Sequence, residues 1–453
     1  MNLVNTVLYN SENVKGDNME LGRVETLSFD KEKQGVWYKM DLSAVVYPTL
    51  QRRDFSSVYR LSAVLKETVD PILLQEAVDI TMNRFPTYKV AIRRGVFWRY
   101  LESNNRPGPF VEADIKNPCM PMPFKSNNRY PVRFYYHDKR IAMEAHHSLG
   151  DGTGGMHVLQ TLMAVYLRLR GEQIATGGFV LPVEEKPNPE ELEDAYIRYA
   201  SAKVCPKRLG ERAYRVCGTK EPFYTLNIID GIMSVKKVKE VAAKYGVTIT
   251  EYLNAVLLYA LLQKQNTDKP YRLRPVKIAM PVNLRQFFPS KTLRNFITMV
   301  YPCIDPRLGE YSFEEIVYQV HYYMKYYINE KFLRGDITTN YATRKNPVLR
   351  VVPLFIKDIV VRKYYSMVQD KNSSAGLTNM GKIHVNEDMK PFIERFDIYM
   401  GQPFSSRTNC AIASFEDTLT VNFASSIKEA DVEMLFFRKL IKDGIHVRIE
   451  SNR

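Results

Sequence analysis

Cysteine is scarce in this chain. Among 453 residues there are five, Cys119, Cys205, Cys217, Cys303 and Cys410, an odd number at wide spacing. That excludes a disulfide framework and the paired ligands of a structural zinc site, and it fits a reducing cytoplasm. Long apolar runs are missing too. No stretch approaches the roughly 18 uncharged apolar residues that a membrane span needs, and "EMLFFRKLI" reads as a helix face. The first residues, "MNLVNTVLYNSENVKGDNMELG", lack the basic region, apolar core and cleavage site of a secretory signal. Nor is there a GxSxG turn, so neither Ser148 nor Thr153 is a candidate nucleophile.

What is present is ordinary in amount. Hydrophobic residues make up 45% and charged residues 25%, as in a soluble globular protein. The length exceeds one usual domain, so two domains or two similar halves are expected. The formal net charge is +14. That suits nucleic acid, an anionic surface or a phosphate-bearing ligand. No zinc-finger spacing and no basic helix supports nucleic acid, and an electrostatic funnel for an anionic cosubstrate fits equally well. The 29 Tyr and 22 Phe put rings into cores or pockets; for "FYY" and "YYMKYY", core packing is favoured over channel lining.

Patterning predicts mixed helices and strands. "SSVYRLSAVLKE" (56–67) reads as a strand and "DPILLQEAVDITMNRFP" (70–86) as a helix capped by Asp70, opened by Pro71 and stopped by Pro86. "TYKVAIRRGVFWRYLE" reads as strands turning near Gly95, and residues 130–147 as a hairpin around 137–140. Residues 180–191 are polar and Pro-rich, a linker candidate. Beyond it lie a helix, a turn at Gly246, a long apolar helix, the strands "LRPVKIAMPVNL" and "ITMVYPCI", one long helix over "YSFEEIVYQVHYYMKYYINEKFL", and three final strands.

The chemistry concentrates in "MEAHHSLGDGTGG", residues 143–155. A strand ending at His146 and His147 sends the two rings to opposite faces, so one of them meets a given cleft. The glycines allow a tight turn and a close approach. A neutral imidazole can take a proton from an alcohol, amine or thiol near neutral pH. Asp151 either orients that ring or holds the loop by pairing with an arginine. A metal site is the weaker reading, because adjacent strand histidines rarely converge. Packing alone is the bland reading for both rings, as it is for His157, while His384 reads as part of a surface turn.

"HHSLGDG" matches the HHxxxDG pattern and resembles the condensation-domain and alcohol acetyltransferase-like superfamily, whose fold is that of chloramphenicol acetyltransferase. "NRFPTYKVAI" (83–92) looks like that superfamily's early R-H-P-x-L-R segment, with Phe85 and Lys89 in the usual His and Arg places. "PVNLRQFFPSKTLRNFITMV" (281–300) and "GLTNMGKI" (376–383) resemble later segments, so the resemblance runs from about residue 55 to 430. It implies an α/β (α+β) fold of two related halves in a V around a central channel: residues 1–180, a connection over 181–225, and 226–453. It implies His147 as general base, His146 as support, Gly152 as a shaper of the loop, and Asp151 in a structural salt bridge with Arg285. Asn295 and Asn379 become channel candidates and possible oxyanion donors. The reaction implied is direct acyl transfer from an acyl-CoA cosubstrate to a small alcohol or amine, with no tightly bound cofactor or metal, in a cytoplasmic monomer or weak dimer. The residues that hold coenzyme A are left unassigned. A carrier protein acting in trans is the alternative donor, and a noncatalytic ligand- or partner-binding relative is the third reading.

Overall fold

The computed structural model describes residues 36–51, 55–201, 211–268, 272–367, 372–401 and 407–453. Val36–Arg453 form one compact unit. After the short strand β1 (Trp37–Lys39) and the one-turn helix α1 (Tyr47–Leu50), β2 (Val58–Leu65) is buried at every position. A strand covered on both faces needs no polar alternation, and "VYRLSAVL" has little. Helix α2 (Pro71–Arg84) begins where the Asp70 side chain accepts the backbone N–H groups of Ile72 and Leu73, at 2.8 and 3.2 Å. It buries Leu74, Ala77, Val78 and Met82, a helical stripe.

Strands β3 (Val90–Arg94) and β4 (Arg99–Ser103) pair antiparallel and add β1 to make a small sheet. Strands β5 (Val111–Ala113), β6 (Val132–His137) and β7 (Arg140–His146) belong to a five-stranded sheet. The hairpin between β6 and β7 closes with His137 opposite Arg140, at the expected turn. Helix α3 (Gly152–Leu169) follows β7 through the histidine loop.

The rest of the chain supplies α4 (Ala195–Tyr199), β8 (Asn227–Ser234), α5 (Val235–Lys244), α6 (Ile249–Asp268), β9 (Val276–Asn283), β10 (Ile297–Val300) and β11 (Cys303–Ile304). It continues with α7 (Phe313–Tyr327), α8 (Glu330–Lys345), α9 (Pro347–Val351), α10 (Leu354–Met367), β12 (Ala375–Lys382), β13 (Ile393–Met400), β14 (Thr408–Phe415), β15 (Thr418–Ser425), α11 (Asp431–Lys442) and β16 (Arg448–Ser451). The large sheet runs β10-β9-β12-β14-β15-β8-β16, with β11 also on β9. The five-stranded sheet runs β13-β2-β7-β6-β5, so a late strand closes the edge of an early sheet. Each large sheet has its own apolar core. Strand β14 serves both: Ala411, Ala413 and Phe415 pack into the first, Cys410 and Ile412 into the second, as the two-residue period of a strand requires.

One expectation changes. The single helix over residues 311–333 is two. Ser312 opens α7 with a reciprocal capping box on Glu315, and Ile328 leaves helical geometry. The Asn329 side chain then accepts the backbone N–H of Phe332 at 3.0 Å, capping the next helix. The polar stretch near 180–191 is tied down where it is described: Arg84 makes a two-pronged ion pair with Glu191 at 2.8 and 2.9 Å, both largely buried. Ala195 and Tyr196 on α4 are buried as well. Cys205 lies outside the described residues. Among the described residues no single helix is long and apolar enough to cross a membrane.

Candidate active site

The histidine loop leaves β7 and enters α3, and the segment between β9 and β10 packs against it. The two rings part as strand geometry demands. His146 is fully buried, edge-on to Phe124 at 5.2 Å between centroids, and its Nδ1 accepts the Ser148 backbone N–H at 3.2 Å. Its Nε2 is buried, with no hydrogen-bond partner among the described residues. Burial, helped by neighbouring His147, pushes its pKa down to about 3, so it stays neutral.

His147 is half-buried. Its ring lies between Tyr47, stacked at 4.8 Å and 20°, and Tyr59, tilted at 4.7 Å and 50°. Its backbone is fixed at both ends. The N–H donates to Ser57 O at 2.8 Å and the carbonyl accepts from Asn295 Nδ2 at 2.9 Å. Burial lowers the pKa from 6.5 to about 4, against the opposing pull of the Asp151 charge and the Gly150 backbone. Nδ1 is buried, with no hydrogen-bond partner among the described residues. The ring's remaining accessibility therefore falls to Nε2.

Asp151 does not act on that ring through a hydrogen bond. One carboxylate oxygen accepts the Gly154 N–H at 3.1 Å and so caps α3. The other accepts Arg285 Nη1 and the Phe296 N–H, both at 2.8 Å. Arg285 spends its remaining donors on Asn283 Oδ1 at 3.2 Å and on backbone: Thr292 O at 3.0 and 2.9 Å and Arg294 O at 2.6 Å. A planar guanidinium suits such a fork. The pair staples the loop to residues 292–296.

The glycines explain how close that staple can be. A Cβ on Gly154 would fall on the carbonyl oxygen of Leu293, well inside contact distance. A Cβ on Gly152 would meet the Met380 sulfur at 2.8 Å, and a methionine side chain can move aside. Gly154→Ala is therefore expected to cost about 3 kcal/mol of stability, and Gly152→Ala under about 1 kcal/mol. Urea unfolding of the two variants checks the order, and equal losses would contradict it.

The sequence candidates are thus only partly gathered. His146, His147, Asp151, Gly152, Arg285 and Asn295 share one network. Asn295 is fully buried, and both of its N–H bonds are spent, on His147 O and on Asp41 Oδ2 at 3.1 Å. It braces the loop rather than lining an open space. Asn379 on β12 bonds Thr250 Oγ1 and accepts the Gly381 N–H, each at 2.7 Å. Only its chain neighbour Met380 reaches Gly152. Sequence reasoning missed Tyr47, Tyr59, Tyr88 and Asp41. Tyr59 OH donates to Asp151 O at 3.2 Å and lies 3.4 Å from Tyr88 OH. Asp41 caps the Ser43 and Ala44 N–H groups while holding Asn295. These residues carry no local motif. Among the described residues, no three or more His, Cys, Asp or Glu side chains gather as a metal site.

No protein-family model matches the chain, and no curated protein sequence matches it. Solved structures do. A Fusarium graminearum protein, TRI101, complexed with coenzyme A and deoxynivalenol, aligns with a TM-score of 0.61 at 10% identity, over 91% of this chain and 99% of its own. These chains share one fold. The wax ester synthase/diacylglycerol acyltransferase of Marinobacter aquaeolei VT8 aligns at 0.55 and 12%, over 90% and 100%. The epimerization domain from the third module of tyrocidine synthetase B aligns at 0.54 and 11%, over 91% and 97%. The architecture is thus the α/β fold that these chains share, which serves a wax ester synthase/diacylglycerol acyltransferase in one of them and a domain named for epimerization in another. Fold alone does not choose the chemistry.

Proposed function

We propose that the protein is an acyltransferase that moves an acyl group from an acyl-CoA thioester directly to an alcohol or amine, with His147 as general base. The observation that carries this reading is the neutral imidazole of His147, clamped between two tyrosines with Nε2 as its accessible nitrogen. Nε2 takes the acceptor's proton as its oxygen or nitrogen attacks the thioester carbonyl. The C–S bond then breaks, and the imidazolium returns the proton to the leaving thiolate. Holding both reactants together and base catalysis supply the rate; no covalent enzyme intermediate is required.

In this reading residues 1–180 and 226–453 are two related halves joined by 181–225. They form a V around a channel open to donor and acceptor. Coenzyme A is the leaving group, and the net charge of +14 favours its phosphates. Asp151 and Arg285 hold the loop, and His146 backs it. Asn295 has no N–H left for a developing oxyanion. Asn379 keeps one N–H beyond its bond to Thr250.

The test offers acetyl- and medium-chain acyl-CoA with pooled alcohols and amines and reads free thiol and product mass. A His147-dependent ester or amide supports the reading; product formed equally by His147→Ala sinks the base assignment. Turnover only with a carrier-loaded donor moves the donor from coenzyme A to a carrier protein in trans. The pH profile follows from burial. Because His147 is held near 4 rather than 6.5, kcat/KM should stay flat as pH falls through 6.5 and drop only near 4. Stability begins to fall earlier, near 6.5, where the unfolded chain starts to take up the proton. A histidine with a depressed folded pKa contributes stability that is fully present above its unfolded value and lost as pH falls through the folded one. A kinetic midpoint near 6.5 would place the working base elsewhere.

A further inference from the structure

Helix α10 turns one side to the protein and leaves the other bare. Leu354 and Asp358 face inward, and Asp358 is paired with Arg99 at 2.7 Å and accepts from Thr49 at 3.0 Å. Phe355, Ile356, Ile359, Val360 and Tyr364 are all exposed, Ile359 by 63% and Val360 by 58%. Their spacing lays them along one stripe of the helix. The Leu354 N–H donates to Val96 O at 2.8 Å, so the stripe starts beside the turn between β3 and β4. There Val96, Phe97 and Trp98 are exposed too, with Lys357 Nζ 3.5 Å over the Trp98 ring. Scattered apolar side chains need no explanation; a contiguous patch does.

The charge around it is predominantly positive. From Arg350 to Tyr365 the chain carries Arg350, Lys357, Arg362 and Lys363 against a single carboxylate, Asp358, which is already buried against Arg99. The adjoining turn adds Arg94, whose side chain is 60% exposed, while Arg93 is paired with Glu102 and Arg99 with Asp358. A second copy of the chain would bring the same cations to the same patch. Nucleic acid would meet the cations, but its contact surfaces are polar and leave the Ile and Val side chains unrewarded. A negatively charged bilayer surface answers both features. Aliphatic side chains enter the acyl boundary, Trp and Tyr sit at headgroup level, and Lys and Arg meet the phosphates.

We propose that α10 and the β3–β4 turn dock the protein peripherally on an anionic lipid surface. This goes beyond acyl transfer and does not depend on it. The experiment uses the full chain with vesicles of phosphatidylcholine alone or with phosphatidylserine mixed in, read by flotation. The chain should float with the anionic vesicles and scarcely with the neutral ones, and added salt should weaken it. Ile359→Ser with Val360→Ser, and separately Lys363→Glu, should each lower partitioning by about tenfold or more. These positions are exposed, so an unchanged melting midpoint shows that both variants remain folded. Absence of flotation, or variants that float as well as the parent, overturns the proposal. So does duplex DNA that binds more tightly than the vesicles, or a dimer of the parent that Ile359→Ser dissociates.

Discussion

His147→Ala is expected to lower kcat/KM for acyl transfer by about 10²–10⁴-fold, the usual contribution of a positioned general base. The fold should survive it. The loop backbone is held by Ser57 O and by Asn295, and neither bond involves the imidazole. The ring does fill the space between Tyr47 and Tyr59, so its removal should cost on the order of 1–2 kcal/mol from a site that keeps partial solvent access. Thermal unfolding separates the two effects. A large loss of activity with a melting shift of a few degrees identifies chemistry; an equal loss of fold would make the ring a packing element. His146→Ala provides the comparison. Its fully buried ring touches Phe124 and the Ser148 N–H, so the greater share of its effect should appear in stability.

Asp151→Ala carries the largest expected cost in stability, about 3–5 kcal/mol, the range for removing one partner of a buried ion pair. The arithmetic is local. Arg285 would keep its charge with its side chain only 11% exposed, and the Gly154 and Phe296 N–H groups would lose their acceptor. Arg285→Ala should cost a similar amount, because Thr292 O and Arg294 O then lose their donors. The double variant should cost clearly less than the two single losses added, since the partners fail together. Urea unfolding of all four proteins measures this coupling. Activity should fall with either single change through the displaced loop. A stable, fully active Arg285→Ala would end the account of the loop as stapled by this pair.

Much of the fold was legible because it is written locally. Asp70 and Pro71 mark the start of α2, and the alternation and turn of residues 130–147 mark the β6–β7 hairpin. The split of the helix at Ile328 was written as well, in Ser312, Glu315 and Asn329 as caps, but a continuous run of aromatics hid the break. The pairing of β13 with β2 has no such signature. It is a contact between segments hundreds of residues apart, and neither strand's own residues name its partner.

The site divides in the same way. The histidine loop announces itself through two imidazoles, a carboxylate and glycines within thirteen consecutive residues, 143–155. The rings that clamp His147 do not, because Tyr47 sits on a one-turn helix and Tyr59 in a fully buried strand. Asn295 shows the opposite failure. Its residue type suggested a donor facing a channel, whereas the fold places it at zero exposure with both N–H bonds already used. A polar residue's type gives its capacity to bond; only the packed neighbours decide where that capacity goes.

The seat of β13 at the edge of the first sheet matters most while the chain is being made. Ile393 lies opposite Leu65 and Met400 opposite Tyr59, so β2 leaves the ribosome long before its edge partner exists. Until then the first sheet can complete only the β7 side of β2, and "VYRLSAVL" presents an unpaired apolar edge, the kind that templates association between chains. Slow, distant pairing of this sort exposes folding intermediates to aggregation. The interval between synthesis of β2 and arrival of β13 is thus the period when that edge is open to pairing with another chain, and a fragment ending before Ile393 would never leave it.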